Sequence, residues 1–372
     1  MLFFSKKFYL ILYFLLYIPF VAKAEALRLW SPPFFIENEV DFSTPKGLEE
    51  EVQFWIKIYT QYTTQQGVFH ISGDITNILG EIDVSPIYLN KEWGPIRKEK
   101  EAEKMIRIEK NKIAKKMNIK NVKKIRLQMG LKDRMQTALF QSGAYLPMME
   151  QVFKKHNLPL ALTRIVFVES SFNVKAQSKV GASGLWQIMP IIGKKFKYIK
   201  PHSDQRNHPE YATELAAKIL KQNFQILKSW PLAVTSYNFG VGSMLKVKRK
   251  MKNFSDKDLF NSKELNKFIG FASRNFYATF LAALYVENHA NIYFGEPLYI
   301  SQSYDLKNNT LKESKKMTQL ISDFNITHEN FIKYNPHIHS KYLKITSQVP
   351  AGTLFSIPRE LKDLKNADIL PE

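Results

Sequence analysis

The chain has 372 residues, 45% of them hydrophobic, and its 54 Lys and Arg against 34 Asp and Glu give a formal charge of +20. A chain of this length buries a sizeable core and divides into two or three units rather than one. With no cysteine, disulfides, thiolate metal sites and a lipid-bearing cysteine are excluded. The positive field favours anionic partners, nucleic acid or an anionic envelope surface among them, and a solvated lysine-rich surface is the plain alternative.

The N-terminus sets the expected compartment. Lys6 and Lys7 precede an apolar run from Phe8 to Val21, and Ala22-Lys23-Ala24 follows as a small-x-small site. That is the layout of a secretory signal peptide over residues 1–24, with cleavage expected before Glu25 and a periplasmic or secreted product. The run is shorter than the roughly 20 residues a spanning helix needs, so an uncleaved anchor is the second reading.

Between residues 25 and 125 the pattern predicts a mostly helical region. Val52 to Tyr62 has the spacing of an amphipathic helix and Val68 to Ser72 that of a short strand. Arg97 to Lys124 is dense in Lys and Glu, which predicts an exposed charged helix; an anion-binding strip is the alternative. Helices are expected over Leu146 to His156, from Asn157-Leu158-Pro159 onward, from His208-Pro209, from Trp230-Pro231 to about Gly242, and from Lys267 to Tyr293. An irregular, glycine-bearing stretch separates two of them between Asn173 and Gln187. After Gly295-Glu296-Pro297 the composition changes, and residues 298–360 read as a separate small module.

The chemistry is concentrated between Leu160 and Pro190. Leu160, Leu162, Ile165, Val166, Phe167 and Val168 leave almost no polar face, which predicts a buried helix. Glu169 follows directly. A carboxylate at the end of an apolar run is poorly solvated, its charged form is disfavoured and its pKa rises, as a general acid at neutral pH requires. Taken alone, such a glutamate serves equally as a cap or an ion-pair partner. Ser178, Gly181, Gly184 and Gln187 lie in a turn-rich segment able to fold back over it.

The spacing narrows the choice. Glu169-Ser-Ser-Phe-Asn173, then Ala176, Ser178, Gly181 and Gly184-Leu-Trp-Gln187-Ile-Met-Pro190, resembles the active-site signature of the soluble-lytic-transglycosylase (SLT) family. It is most like the branch of membrane-bound lytic murein transglycosylase D. Asp204-Gln-Arg206-Asn-His-Pro209 with Ala212 to Ala217 is similar to the next helix of that family. Ser236-Tyr237-Asn238-Phe239-Gly240 resembles its AYNxG motif, with Ser for the first Ala, and Phe271 to Ala283 is similar to its closing helix. The four motifs fall in order over residues 126–290.

The resemblance implies a mainly α fold, with a lysozyme-like catalytic domain at 126–294, and an enzyme that cleaves peptidoglycan glycan strands without a cofactor. It implies that Glu169 protonates the glycosidic oxygen between N-acetylmuramic acid and N-acetylglucosamine, then takes a proton from the muramoyl C6 hydroxyl, leaving a 1,6-anhydro ring. Ser178 and Gln187 would line the cleft, Tyr237 and Asn238 orient Glu169 and hold an N-acetyl group, and Met189 lie under a sugar, with Tyr277 also at the site. Each has a structural alternative: Tyr237 and Tyr277 as core aromatics, Met189 as packing, Asn238 as a helix C-cap. Glycosidases usually need two carboxylates, and none other than Glu169 lies in the motif, as a one-carboxylate route allows, although Asp204 or Glu210 could fold close. A hydrolytic muramidase of the goose-type-lysozyme kind and a non-catalytic wall-binding protein are the competing functions.

The tail resembles a LysM module, a small peptidoglycan-binding α/β fold. Thr318-Gln-Leu-Ile321, Phe324-Asn-Ile326, Phe331 to Pro336, Val349-Pro-Ala-Gly352 and Ile357-Pro358 fall in that family's order, whereas Tyr304-Asp-Leu-Lys-Asn-Asn-Thr310 departs from its opening pattern. No HExxH or paired histidine spacing predicts a zinc site, and no glycine-rich nucleotide motif is present. The lysine-rich stretch lacks interleaved aromatics, so nucleic-acid stacking has no support and none is expected as a partner.

Overall fold

A computed structural model describes residues 28–31, 42, 44–251, 268–296 and 298–361. The signal peptide expected at 1–24, with its cleavage site, lies outside them. The class is mainly α, with small sheets.

Helix α1 (Glu49–Thr60) carries three glutamates in its first turn and Lys57 in its last, complementing the helix dipole, and buries Val52, Phe54, Trp55, Ile56, Ile58 and Tyr59. The expected strand is present as β1 (Gln66–Ile71). It is the centre of an antiparallel three-stranded sheet, between β2 (Asp74–Asp83) and a later strand β3 (Ile125–Met129). The sheet adds to the helices expected in this region; β2 mixes buried and exposed residues without strict alternation, so its pattern hides it.

The charged helix forms as α2 (Pro95–Lys116), burying only Lys98, Ala102, Ile113 and Ala114. It stops short of the expected Lys124, because Asn118 adopts a left-handed φ of 51° and the chain then turns through a 3-10 segment, Val122–Lys124, into β3. Helix α3 (Lys132–Lys155) starts well before the expected Leu146, so that Pro147 lies inside it, where its missing N–H leaves one helical hydrogen bond unmade. Upstream of that proline, the Tyr304 N–H meets the Ala144 carbonyl at 3.2 Å. A Cβ on Gly143 would lie 2.1 Å from the Ser301 carbonyl.

The buried helix expected after Pro159 forms as a 3-10 turn, Leu160–Arg164, followed by the single α-turn α4 (Ile165–Glu169). Then come α5 (Pro190–Lys195), α6 (Pro209–Leu227), α7 (Trp230–Phe239), α8 (Val241–Lys250) and α9 (Phe271–Asn288). Helix α7 opens as expected, with Ser229 accepting from the Leu232 N–H at its N-cap and Pro231 in the first turn. The tail builds a compact α/β module. Strand β4 (Leu306–Thr310), helices α10 (Met317–Asp323) and α11 (His328–Tyr334), and strand β5 (Leu354–Pro358) follow in order. The two strands pair antiparallel from Leu306 against Pro358 to Thr310 against Leu354.

The structure divides into two compact units, one from residues 1–140 and 219–299, the other from 141–218 and 300–372. In the first, α1 packs on α9 and α9 on α7. The Trp55 indole donates to Asn275 Oδ1 at 3.5 Å, and His70 stacks on Phe271 at 5.6 Å between centroids. In the second, the tail closes a core of its own around Leu320, Phe331, Val349 and Phe355.

Candidate active site

Glu169 is the last residue of α4, whose Ile165, Val166 and Phe167 are all buried. Its side chain is part-exposed, yet its carboxyl is packed closely enough that burial pushes its pKa up to about 8. The chain cannot continue as a helix beyond it: Ser171 and Phe172 take left-handed φ values of 51° and 57°. Such a conformation is costly for residues with a Cβ and persists only where packing over-determines it. Here Phe172 is pinned edge-on against Phe167, 4.8 Å between centroids.

The glycine-bearing segment folds as a clamped loop. Gln187, also left-handed at φ 45°, donates its amide to the carbonyls of Ala176 at 3.1 Å and Gly184 at 2.9 Å. Ser178 Oγ accepts from the Ala182 N–H at 2.9 Å. Both side chains therefore shape the loop itself. Trp186 is fully buried, stacked on Phe153, with its indole donating to Thr213 Oγ1 at 2.9 Å. Met189, at the N-cap of α5, stands 39% exposed, an apolar side chain presented to solvent.

Arg206, for which the sequence suggested no role, holds this loop. Its guanidinium is paired with Asp204 by Nε at 3.0 Å and Nη2 at 2.6 Å, and Nη1 donates to the carbonyls of Gly181 and Ile188 at 2.8 and 2.7 Å. Gly184 passes so close beneath that a Cβ would lie 2.3 Å from the Arg206 carbonyl, and its φ is +77°. The signal was present in the Asp204-Gln-Arg206 motif; only the fold shows that its targets are backbone carbonyls 25 and 18 residues upstream. Asp204 is committed to Arg206 and Glu210 accepts from Asn308 at 2.6 Å.

Tyr237, Asn238 and Tyr277 belong to the other unit. Asn238 is exposed near the end of α7, where the cap is Gly240 at φ 86°, not the asparagine. Its Oδ1 accepts from Ser273 Oγ at 2.6 Å, which leaves its amide N–H groups as the outward donors. Tyr237 is half-buried beside it in sequence. Tyr277 is 2% exposed in α9. Among the described residues no three His, Cys, Asp or Glu gather as a metal site, and no described helix is long and apolar enough to cross a membrane.

Residues 148–260 match the family model described as the Transglycosylase SLT domain. Residues 148–260 thus resemble an SLT domain. A putative tributyltin chloride resistance protein of Alteromonas sp. (strain M-1) is 34% identical over 112 residues, 30% of this chain and 54% of that protein. Membrane-bound lytic murein transglycosylase D of Escherichia coli (strain K12) is 32% identical over 95 residues, 25% of this chain and 21% of that protein. The match therefore spans about half or less of these relatives. Among solved structures, an inactive mutant of lytic transglycosylase Slt from Pseudomonas aeruginosa superposes with 22% identity and a TM-score of 0.31, covering 41% of this chain and 25% of that one. The 70 kDa soluble lytic transglycosylase of Escherichia coli gives 23% identity and 0.29, covering 38% and 24%.

Proposed function

We propose that the protein is a lytic transglycosylase of peptidoglycan, cleaving the β-1,4 bond between N-acetylmuramic acid and N-acetylglucosamine with Glu169 as its only general acid/base. One observation carries the reading: a carboxyl with a pKa raised to about 8, held at the end of an apolar turn and still part-exposed. At neutral pH that group is protonated, ready to give its proton to the glycosidic oxygen as the bond to the anomeric carbon breaks. The cation-like sugar is then closed by its own C6 hydroxyl, whose proton returns to the Glu169 carboxylate. No water is consumed. Holding both reacting groups on one sugar replaces an activated water by proximity. Asn238, with its N–H groups outward, suits an N-acetyl carbonyl, and exposed Met189 suits the apolar face of a sugar ring. The SLT match over residues 148–260 supports the same reading.

On this reading residues 1–24 direct the chain to the cell envelope, 126–294 form the catalytic domain and the α/β tail at 298–360 binds wall glycan. Mass spectrometry of muropeptides released from purified peptidoglycan tests the chemistry. The expected products are about one water lighter than hydrolysis products, and Glu169→Gln should lower their yield by about 10³-fold or more. Reducing ends would establish a hydrolytic muramidase instead. Wall binding with no products would establish a binding protein.

A further inference from the structure

A concavity lies in the unit that holds Asn238, far in sequence from Glu169. It encloses about 310 Å³ and is lined by Glu51 of α1, Ser72, Arg126 of β3, and Gly270, Phe271 and Arg274 at the start of α9. Two guanidiniums and one carboxylate face one small cavity, so its lining carries an excess positive charge. Arg126 is half-buried, with its guanidinium carbon 4.2 Å from the Phe271 ring centroid and, among the described residues, no carboxylate partner. A guanidinium laid on an aromatic face keeps its edge donors for a ligand, and their fork matches a carboxylate. Arg274 reaches the Gly73 carbonyl from Nη1 at 3.4 Å and acts electrostatically on Glu51. Glu51 offsets one of the two guanidiniums, and a bound anion would offset the other.

Two features select the anion. Glu51 on the same wall repels a multiply charged phosphate, but it can accept from amide N–H groups next to a single carboxylate. The site is also tied to Asn238, proposed above to hold a sugar N-acetyl group. Ser273, which donates to Asn238 Oδ1 at 2.6 Å, directly precedes Arg274 in the first turn of α9. One helix end thus serves both the asparagine and the cavity.

We propose that this cavity receives a carboxylate of the peptide carried by the glycan strand, so that the protein recognises peptide-substituted rather than bare strands. The inference deepens the transglycosylase reading and rests on it for the identity of the strand. The test is calorimetric titration of the full chain with three probes: the free stem peptide, the same peptide amidated at its carboxyls, and inorganic phosphate. The free peptide should bind, and amidation and Arg126→Gln should each weaken it at least tenfold. Arg126→Lys, which keeps the charge without the fork, should weaken it less. Undetectable peptide binding, affinity unchanged by amidation or by both Arg126 variants, or phosphate binding as tight as the peptide would each overturn the proposal. The amidated probe needs no variant, so the result stands even where Arg126→Gln fails to fold. Products released by the wild-type chain are scored separately. Amidation-sensitive binding without 1,6-anhydro products would keep the cavity and sink the transglycosylase reading.

Discussion

Glu169 shows how a single residue can be set against the stability of its own fold. In the unfolded chain its carboxyl titrates near 4.5, whereas in the folded chain burial holds its pKa at about 8. Between those values the folded chain binds the extra proton, so stability falls as pH rises through that window and levels off above it. The accumulated cost is on the order of a few kcal/mol. Glu169→Gln has no such titration. Its melting temperature should match the wild type below about pH 4.5 and exceed it by a widening margin up to about pH 8. A constant margin from pH 4 to 9 would refute the raised pKa. The same value predicts that cleavage declines as pH rises past about 8, where the acid loses its proton. Gly184 is the other residue with a stark prediction: Gly184→Ala places a Cβ 2.3 Å from the Arg206 carbonyl on a backbone with φ +77°. It should cost about 2 kcal/mol or more in urea unfolding, since the left-handed conformation alone costs about 1–2 kcal/mol.

At the scale of elements, the glycine-bearing loop after Glu169 is held by what lies under it. Its own hydrogen bonds, from Gln187 and to Ser178, close small turns, but Arg206 ties Gly181 and Ile188 to the turn that opens α6. The Arg206–Asp204 pair is almost wholly desolvated, and removing one member leaves the other buried and uncompensated. Arg206→Gln should therefore destabilise by about 3 kcal/mol and lower cleavage without touching substrate. Unchanged chemical unfolding in that variant would show the clamp to be dispensable. Helix α4 teaches a related point. The apolar run from Leu160 was legible as buried, but not as a 3-10 turn followed by one turn of α-helix. Hydrophobicity reports burial; it carries no information on which helical pitch the packing will select.

Within the second unit the tail is built into the structure, not tethered to it. The Asp204 N–H meets the His337 carbonyl at 2.8 Å and His208 Nε2 lies 3.0 Å from Ser356 Oγ, so the turn that clamps the glycine-bearing loop also docks the tail. His208 and His337 pack 4.5 Å apart between centroids, both fully buried. Burial, followed for His208 by its neighbour His337, pushes both pKa values below the usual 6.5, that of His337 to about 4. Their folded forms bind fewer protons than the unfolded chain, so their contribution is full above about pH 6.5 and is lost as pH falls toward 4. Limited proteolysis should release fragments of the tail near pH 4 and not at pH 7. Equal resistance at both would contradict the buried pair.

The sequence by itself determined the local features: the helix starts at Pro209 and at Trp230-Pro231, the buried run before Glu169 and the irregular glycine loop. Each rests on periodicity, capping or turn chemistry within a few residues, and such interactions survive in any fold. Tertiary structure alone decided the sheet around β1, the start of α3 well before Leu146, the work of Arg206 and the cavity at Arg126. Those depend on partners far away in the chain. Arg206 reaches back twenty-five residues to Gly181, and Arg126 meets Phe271 across almost one hundred and fifty. No spacing rule spans such distances, because what brings the residues together is the burial of everything between them.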